Sequence, residues 1–222
     1  MFTARFQDWV RAAARRLVSA LHVHGVTPDA LTLAGLAVTM ASAVLVGFGW
    51  LLAGGLVLLV GGLFDILDGA VARVEGRVRP YGAFLDSTTD RYAEVVTYAA
   101  LLYHFVSQRD STLEAMLVIL ALGGSLLVSY VRARAQSLGF QCDGGLLARP
   151  ERVVITVVGL VIAPLLIWAL WVLAVLTNVT ALQRIILVWR QARDARAADR
   201  VAARSTAPPR EPARPGERSR PG

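Results

Sequence analysis

The stretch that decides the fold is DILDGAVARVEGRVRPYGAFLDSTTD, residues 65–90. It places four carboxylates, from Asp65, Asp68, Asp86 and Asp90, at the ends of two otherwise apolar segments. Positions three or four apart share one face of a helix, so each pair of acids projects from its helix in one direction. Like charges beside a bilayer repel one another and lose hydration, so such a set requires cations. Oxygen ligands without His or Cys favour Mg²⁺ or Mn²⁺ over zinc.

The composition outside this stretch is that of a polytopic membrane protein. The chain has 222 residues, of which 55% are hydrophobic, and its mean hydropathy is +0.54. This excludes an ordinary soluble domain. All 23 basic residues are Arg, and the formal net charge of +7 suits an anionic membrane surface and anionic substrates. Cys142 is the single cysteine, so an intrachain disulfide is excluded.

Uncharged runs predict the membrane spans. One span needs about 20 residues, so the run 30–64 predicts two spans with a turn near residues 47–50. A third span is expected at 83–106 and a fourth at 112–131. By length alone, the run 153–183 is one long kinked helix or two spans. Two spans place the Arg clusters on one side of the membrane, which favours six spans with cytoplasmic termini. These clusters lie at 5–16, 73–79, 132–152 and 184–204.

The predicted organisation is therefore an all-α membrane protein in three parts. Residues 1–26 are Arg-rich on one side and aromatic on the other, which predicts an interfacial amphipathic helix. Residues 27–195 form the six-helix domain. Residues 196–222 are rich in Arg, Ala and Pro, which predicts a disordered basic tail.

The spacing within residues 65–90 resembles the signature of the CDP-alcohol phosphatidyltransferases, D-x2-D-G-x2-A-R-x8-G-x3-D-x3-D. Every fixed position is met, by Asp65, Asp68, Gly69, Ala72, Arg73, Gly82, Asp86 and Asp90. The resemblance implies an enzyme that transfers a phosphatidyl group from CDP-diacylglycerol to an alcohol and releases CMP. It also implies a homodimer in a bacterial inner membrane. The one-sided Arg distribution predicts that the active site lies on the cytoplasmic side.

The resemblance further implies roles for individual residues. Asp65, Asp68, Asp86 and Asp90 match the positions that bind a pair of Mg²⁺ or Mn²⁺ ions, and Asp90 also matches the general base. Apart from the resemblance, the positions of Arg91 and Glu94 beside the acids of the third span predict that they support those acids or form ion pairs. Arg79 stands where relatives often carry a small hydroxyl residue near the nucleotide. The expected CDP contacts are Pro28, Asp29, Ala30, Leu31, Gly69, Arg73 and Arg79.

Arginines at the predicted cytoplasmic helix ends indicate the acceptor. They are Arg132, Arg134, Arg149, Arg152 and Arg184. The positive-inside rule alone would also place Arg there; the alternative is a pocket for a phosphorylated acceptor. The segments around them resemble the bacterial phosphatidylinositol phosphate synthases, which implies inositol 1-phosphate. Arg132 departs from that pattern, since those enzymes typically carry Lys there. Synthases that use glycerol 3-phosphate are the alternative.

Two other classes use acidic residues in membrane helices. Intramembrane aromatic prenyltransferases bind Mg²⁺ through Asp-rich helices but do not require the Gly-Ala-Arg and x8-Gly spacing found here. Ion-coupled transporters place their acids near the bilayer midplane, often within repeated span patterns. All four acids here lie near one predicted membrane face, which favours the transferase.

Overall fold

The computed structural model describes residues 27–74, 79–142 and 144–206, and every regular element within these ranges is helical. An all-α fold is thus confirmed. A short 3₁₀ turn, Ala163–Leu165, separates the last two helices. The part of the chain that the structure describes contains six α-helices: α1 Pro28–Gly47, α2 Leu51–Val74, α3 Pro80–Gln108, α4 Thr112–Ser137, α5 Arg149–Val161 and α6 Leu166–Thr206. The helix predicted for residues 1–26 lies outside the described ranges.

Local sequence signals explain the start of α1 and the turn between α1 and α2. The Thr27 side chain accepts a hydrogen bond from the Ala30 backbone N–H at 3.2 Å, and Pro28 occupies the first helical turn. Both features are ordinary helix initiation. The predicted turn between α1 and α2 is confirmed, and Gly49 adopts a φ of 84° there. A residue with a side chain would be strained at this φ, so glycine allows the tight reversal.

The helices close into a ring. α1 packs against α2 and α3, and α2 packs against α5. α5 packs against α6, α6 against α4, and α4 against α3, which completes the circle. Fully buried leucines from three of these helices, Leu101, Leu160 and Leu170, belong to the shared core. The ring brings the beginnings of α1, α3 and α5 to the end of α2.

Within the described ranges, four segments are long and apolar enough to cross a membrane, and they lie in α1, α2, α4 and the region of α6. α3 has sufficient length, but it carries Asp86, Asp90 and Glu94. α5 has only 13 residues, and about 1.5 Å of rise per residue makes it shorter than a bilayer core of about 30 Å. The chain is therefore an integral membrane protein, and six spans remain a prediction.

The helix is interrupted within the last uncharged run at residues 162–165, which include Pro164. Asn178, the other polar interruption, stays inside α6 and donates hydrogen bonds to the Ala174 and Leu120 carbonyls. α6 then continues to Thr206, into the segment predicted as the start of the tail. Residues 207–222 of that tail lie outside the described part of the chain.

Candidate active site

Three of the four predicted metal-binding carboxylates converge. Asp65 and Asp68, near the end of α2, and Asp86, in the second turn of α3, each offer one oxygen, and these oxygens lie within 4.8 Å of one another. α1 packs against both α2 and α3 and so holds the two acidic segments together. A compact set of carboxylate oxygens fits a hard divalent cation such as Mg²⁺ or Mn²⁺.

Thr32 of α1 orients one of these carboxylates. Its hydroxyl donates a hydrogen bond of 2.5 Å to Asp68 Oδ2, and both residues are buried. Such a contact to a metal-binding side chain restricts its rotation. The sequence predicts that the segment ending at Thr32 contributes to the CDP pocket, but it does not predict this contact with Asp68. The available signal was its position four residues after Pro28, which places it on the same face of α1.

Asp90 is held by arginine. Arg149, the first residue of α5, places Nη2 at 2.5 Å from Asp90 Oδ1 and Nη1 at 2.5 Å from Asp65 Oδ2. The other oxygen, Asp90 Oδ2, lies 3.5 Å from Arg91 Nη1, in agreement with the ion pair expected for Arg91. The guanidinium of Arg149 thus joins the predicted general base to the cluster of three carboxylates.

Arg152, one turn further along α5, is paired differently. Its Nη2 lies 2.6 Å from Glu94 Oε1, and its Nε donates to the same oxygen at 3.3 Å. Nη1 faces the Leu147 carbonyl at 3.4 Å, and Nη2 lies 3.5 Å from Ser129 Oγ. The side chains of Arg152 and Glu94 are only 3% and 8% exposed. This buried pair ties α5 to α3 and α4, and it matches the ion pair expected for Glu94.

A cleft lies between α1, α2, α3 and α5, and most of the charged side chains described above line it. Asp65, Asp68, Asp90 and the two arginines line its polar part, and Leu58 and Tyr98 line an apolar part. Glycine allows two helices of this cleft to approach closely. A Cβ on Gly35 of α1 would lie 3.0 Å from the Cβ of Phe64 of α2. A cleft that is charged in one part and apolar in another suits an amphiphilic ligand.

The predicted nucleotide contacts lie at the same end of the ring. Pro28, Asp29, Ala30 and Leu31 form the first turn of α1. A Cβ on Gly82 would lie 3.5 Å from Asp29 Oδ1, so the start of α1 lies beside the start of α3. Gly69 directly follows Asp68 in α2. Arg79 is exposed just before α3. Arg73 belongs to α2, but its side chain lies outside what the structure describes.

The five predicted acceptor arginines do not line one cavity. Arg149 and Arg152 line the cleft, whereas Arg132 and Arg134 are exposed near the end of α4 and are absent from its lining. Arg184 is buried, and it donates to the Gly144 carbonyl at 2.8 Å and to the Val128 carbonyl at 2.6 Å. It lines a second cavity beside the loop that precedes α5. Arg149 alone of the five contacts both Asp65 and Asp90.

Comparisons with known proteins identify the family. A family model described as CDP-alcohol phosphatidyltransferase matches residues 25–189. The phosphatidylinositol phosphate synthase of Mycobacteroides abscessus is 39% identical over an alignment of 176 residues, and the match covers 76% of this chain and 80% of that protein. The archaetidylinositol phosphate synthase of Methanothermobacter thermautotrophicus is 36% identical over an alignment of 168 residues, and the match covers 73% of this chain and 83% of that protein.

Solved structures of the phosphatidylinositol phosphate synthase of Mycobacterium tuberculosis share the fold. The structure with CDP-DAG bound has a TM-score of 0.72 and 34% sequence identity, and the match covers 81% of this chain and 93% of that one. The complex with manganese and citrate has a TM-score of 0.71 and 35% identity, and the match covers 81% of this chain and 88% of that one.

Proposed function

This chain belongs to the CDP-alcohol phosphatidyltransferase family, and from that premise we propose that it transfers the phosphatidyl group of CDP-diacylglycerol to inositol 1-phosphate and releases CMP. The observation that carries the proposal is the convergence of Asp65, Asp68 and Asp86 at an amphiphilic cleft that Asp90 and Arg149 also line. The names of the relatives support this choice of acceptor.

The metal site is assigned by donor chemistry. Asp65, Asp68 and Asp86 fit Mg²⁺ or Mn²⁺, and Asp90 would complete a site for a pair of ions. Bound there, divalent cations offset the charge of the pyrophosphate and of the departing phosphate. Thr32 fixes the Asp68 carboxylate for this purpose.

The remaining residues bind the donor and move one proton. The first turn of α1, with Gly69, Arg73 and Arg79, binds the CDP group, and the apolar part of the cleft accepts part of the lipid. Asp90 takes the proton from an acceptor hydroxyl as that oxygen bonds to the lipid-linked phosphorus. The bond from this phosphorus to the bridging oxygen then breaks, and CMP leaves with that oxygen.

The acceptor phosphate is assigned to arginine. Arg149 combines a position beside Asp90 with a side chain that is 23% exposed, so an incoming ligand can reach it. A guanidinium fork matches the geometry of a phosphate. Arg132, Arg134 and Arg184 are proposed to attract or orient the same anion from the surrounding surface and loop. Arg152 is engaged by Glu94, and its proposed contribution is to hold α5 in place.

Purified protein tests the reaction directly. With CDP-diacylglycerol and Mg²⁺ or Mn²⁺, CMP should appear when inositol 1-phosphate is added, and to a smaller extent with glycerol 3-phosphate. Asp90→Asn should lose turnover yet retain nucleotide binding, because the substitution removes the base and leaves most other contacts. Use of glycerol 3-phosphate alone would overturn the choice of acceptor. Near-normal turnover in Asp90→Asn would overturn the assignment of the base.

The membrane arrangement is also proposed: six spans in a bacterial inner membrane, cytoplasmic termini, and a cleft that opens to the cytoplasm. The one-sided Arg distribution supports it. Arg109→Cys and Arg193→Cys should label from opposite sides in a protein whose buried Cys142 is replaced by Ala. Labelling from one side would refute it. A homodimer stays a prediction from the family resemblance, and a monomeric mass in a mild detergent would contradict it.

A further inference from the structure

Arg149 stands between the proposed base and the carboxylates of the proposed cation site. We propose that Arg149 makes phosphatidyl transfer depend on an anionic acceptor: its guanidinium holds Asp90 and Asp65 until the acceptor phosphate draws it away. The proposal rests on the function proposed above. It means that Arg149 prevents water from replacing the acceptor alcohol.

The two ion pairs occupy the oxygens that the reaction needs. The η nitrogens of Arg149 each lie 2.5 Å from a different carboxylate, Asp90 Oδ1 and Asp65 Oδ2. Charge-assisted contacts of this length are strong. A cation that uses both Asp65 and Asp90 must compete with the guanidinium, and so must a hydroxyl that donates its proton to Asp90 Oδ1. Among the described residues, the contact made by the second oxygen of Asp90 is the longer one of 3.5 Å with Arg91.

Arg149 is able to leave this position, whereas its neighbour Arg152 is not. The side chain of Arg149 is 23% exposed, and Asp65 beside it is 31% exposed, so a ligand has access to the pair. Arg152 is 3% exposed and closed in by Glu94. In addition, Arg149 Nε is buried without a hydrogen-bond partner. An unused buried donor is costly, and a phosphate that accepts from Nε and one η nitrogen together satisfies it.

The exchange has a chemical consequence. Water could replace the acceptor: its oxygen would bond to the lipid-linked phosphorus, the bond to the bridging oxygen would break, and phosphatidic acid and CMP would form. One proton from that water must pass to a base. While Arg149 contacts Asp90 Oδ1 and Arg91 faces Oδ2, a water that donates its proton to Asp90 must displace one of these two guanidinium groups. A phosphorylated acceptor carries the anion that removes Arg149, so it frees the base as it binds, which water is unable to do.

The same contacts couple the acceptor to the cation. Displacement of Arg149 by a phosphate frees Asp65 and Asp90 for Mn²⁺, so each ligand should tighten binding of the other by the same factor. Such couplings are about 5–150-fold. Substitution of Arg149 by a residue without a guanidinium should therefore tighten Mn²⁺ binding in the absence of phosphate, as phosphate does in the unmodified protein.

The test measures Mn²⁺ binding by electron paramagnetic resonance in the full-length protein, with and without inositol 1-phosphate or inorganic phosphate. In the unmodified protein the anion should lower the Kd for Mn²⁺ about fivefold or more. Arg149→Gln should bind Mn²⁺ about fivefold or more tightly without anion, and it should lose the coupling. Arg193→Gln removes an exposed guanidinium from α6 outside the cleft, so it should behave like the unmodified protein.

A second readout is CMP release from CDP-diacylglycerol without an acceptor. Arg149→Gln should raise this hydrolysis above that of Arg193→Gln, and Arg149→Lys, which keeps the charge but not the fork, should fall between them. Unchanged or weaker Mn²⁺ binding in Arg149→Gln, without increased hydrolysis, would overturn the proposal. If the unmodified protein transfers to no phosphorylated polyol, the proposed function fails separately, because coupling between Mn²⁺ and inorganic phosphate still reports on Arg149.

Discussion

Replacement of Arg152 by Gln should destabilise the protein far more than it weakens acceptor binding. The substitution removes both donors to Glu94 Oε1, at 2.6 and 3.3 Å. The other oxygen, Glu94 Oε2, is already buried without a partner. The variant would therefore keep a carboxylate that is 8% exposed and has lost the guanidinium that pairs with it.

The magnitude follows from the burial of the pair. Removal of one partner of a buried ion pair costs about 3–5 kcal/mol, because the remaining charge stays desolvated. Glu94→Gln should cost a similar amount, since it removes the counter-charge of the buried Arg152, whose other contacts are the Leu147 carbonyl at 3.4 Å and the Ser129 hydroxyl at 3.5 Å. The double variant leaves two neutral amides, and we expect it to be more stable than either single variant.

The assay is a double-mutant cycle on the free energy of unfolding in mixed micelles, with the KM for the acceptor measured on each variant. We expect a coupling energy of about 0.5–3 kcal/mol in favour of the pair and less than about a twofold change in KM where the protein stays folded. An additive cycle together with a large rise in KM would refute the reasoning. That result would return Arg152 to the acceptor role that its sequence position predicts.

Two further predictions have matched controls. Thr32→Val removes the donor to Asp68 and should weaken Mn²⁺ binding about 10–100-fold; Thr39→Val is the control, because that hydroxyl bonds only the Gly35 carbonyl. Equal losses in both variants would contradict a role for Thr32. Gly124→Ala should cost about 1–3 kcal/mol of stability, because its Cβ would overlap the Thr177 hydroxyl at the contact of α4 with α6. Gly123→Ala has no atom within 4 Å of its Cβ and should be neutral, so equal thermal stability of the two variants would contradict this packing.

The sequence by itself determined the helical fold and the chemistry of the site. In lipid, a single segment can pair all its backbone N–H and C=O groups within itself only as a helix. The long uncharged run of residues 30–64 therefore predicts α1 and α2. The helical period places Asp65 with Asp68, and Asp86 with Asp90, which predicts converging carboxylates. These signals are local, since each depends on neighbouring residues in the chain.

The lengths of the last two helices were decided by packing. The run 153–183 has the composition of membrane helix throughout, and hydropathy did not locate its break. The structure ends α5 after 13 residues and continues α6 to Thr206. Asn178, which is polar enough to suggest a break, stays helical because the Leu120 carbonyl of α4 accepts its hydrogen bond.

The roles of two arginines were decided only by the tertiary structure. Arg149 and Arg152 lie three residues apart, carry the same charge and begin the same helix, so no local property distinguishes them. Closure of the ring brings Glu94 of α3 against Arg152 and buries that pair, whereas Arg149 reaches Asp65 and Asp90 and stays accessible. The sequence determines the charge and the spacing of these arginines. The packing of the helices determines which residue, 58 or 84 positions away, each arginine contacts.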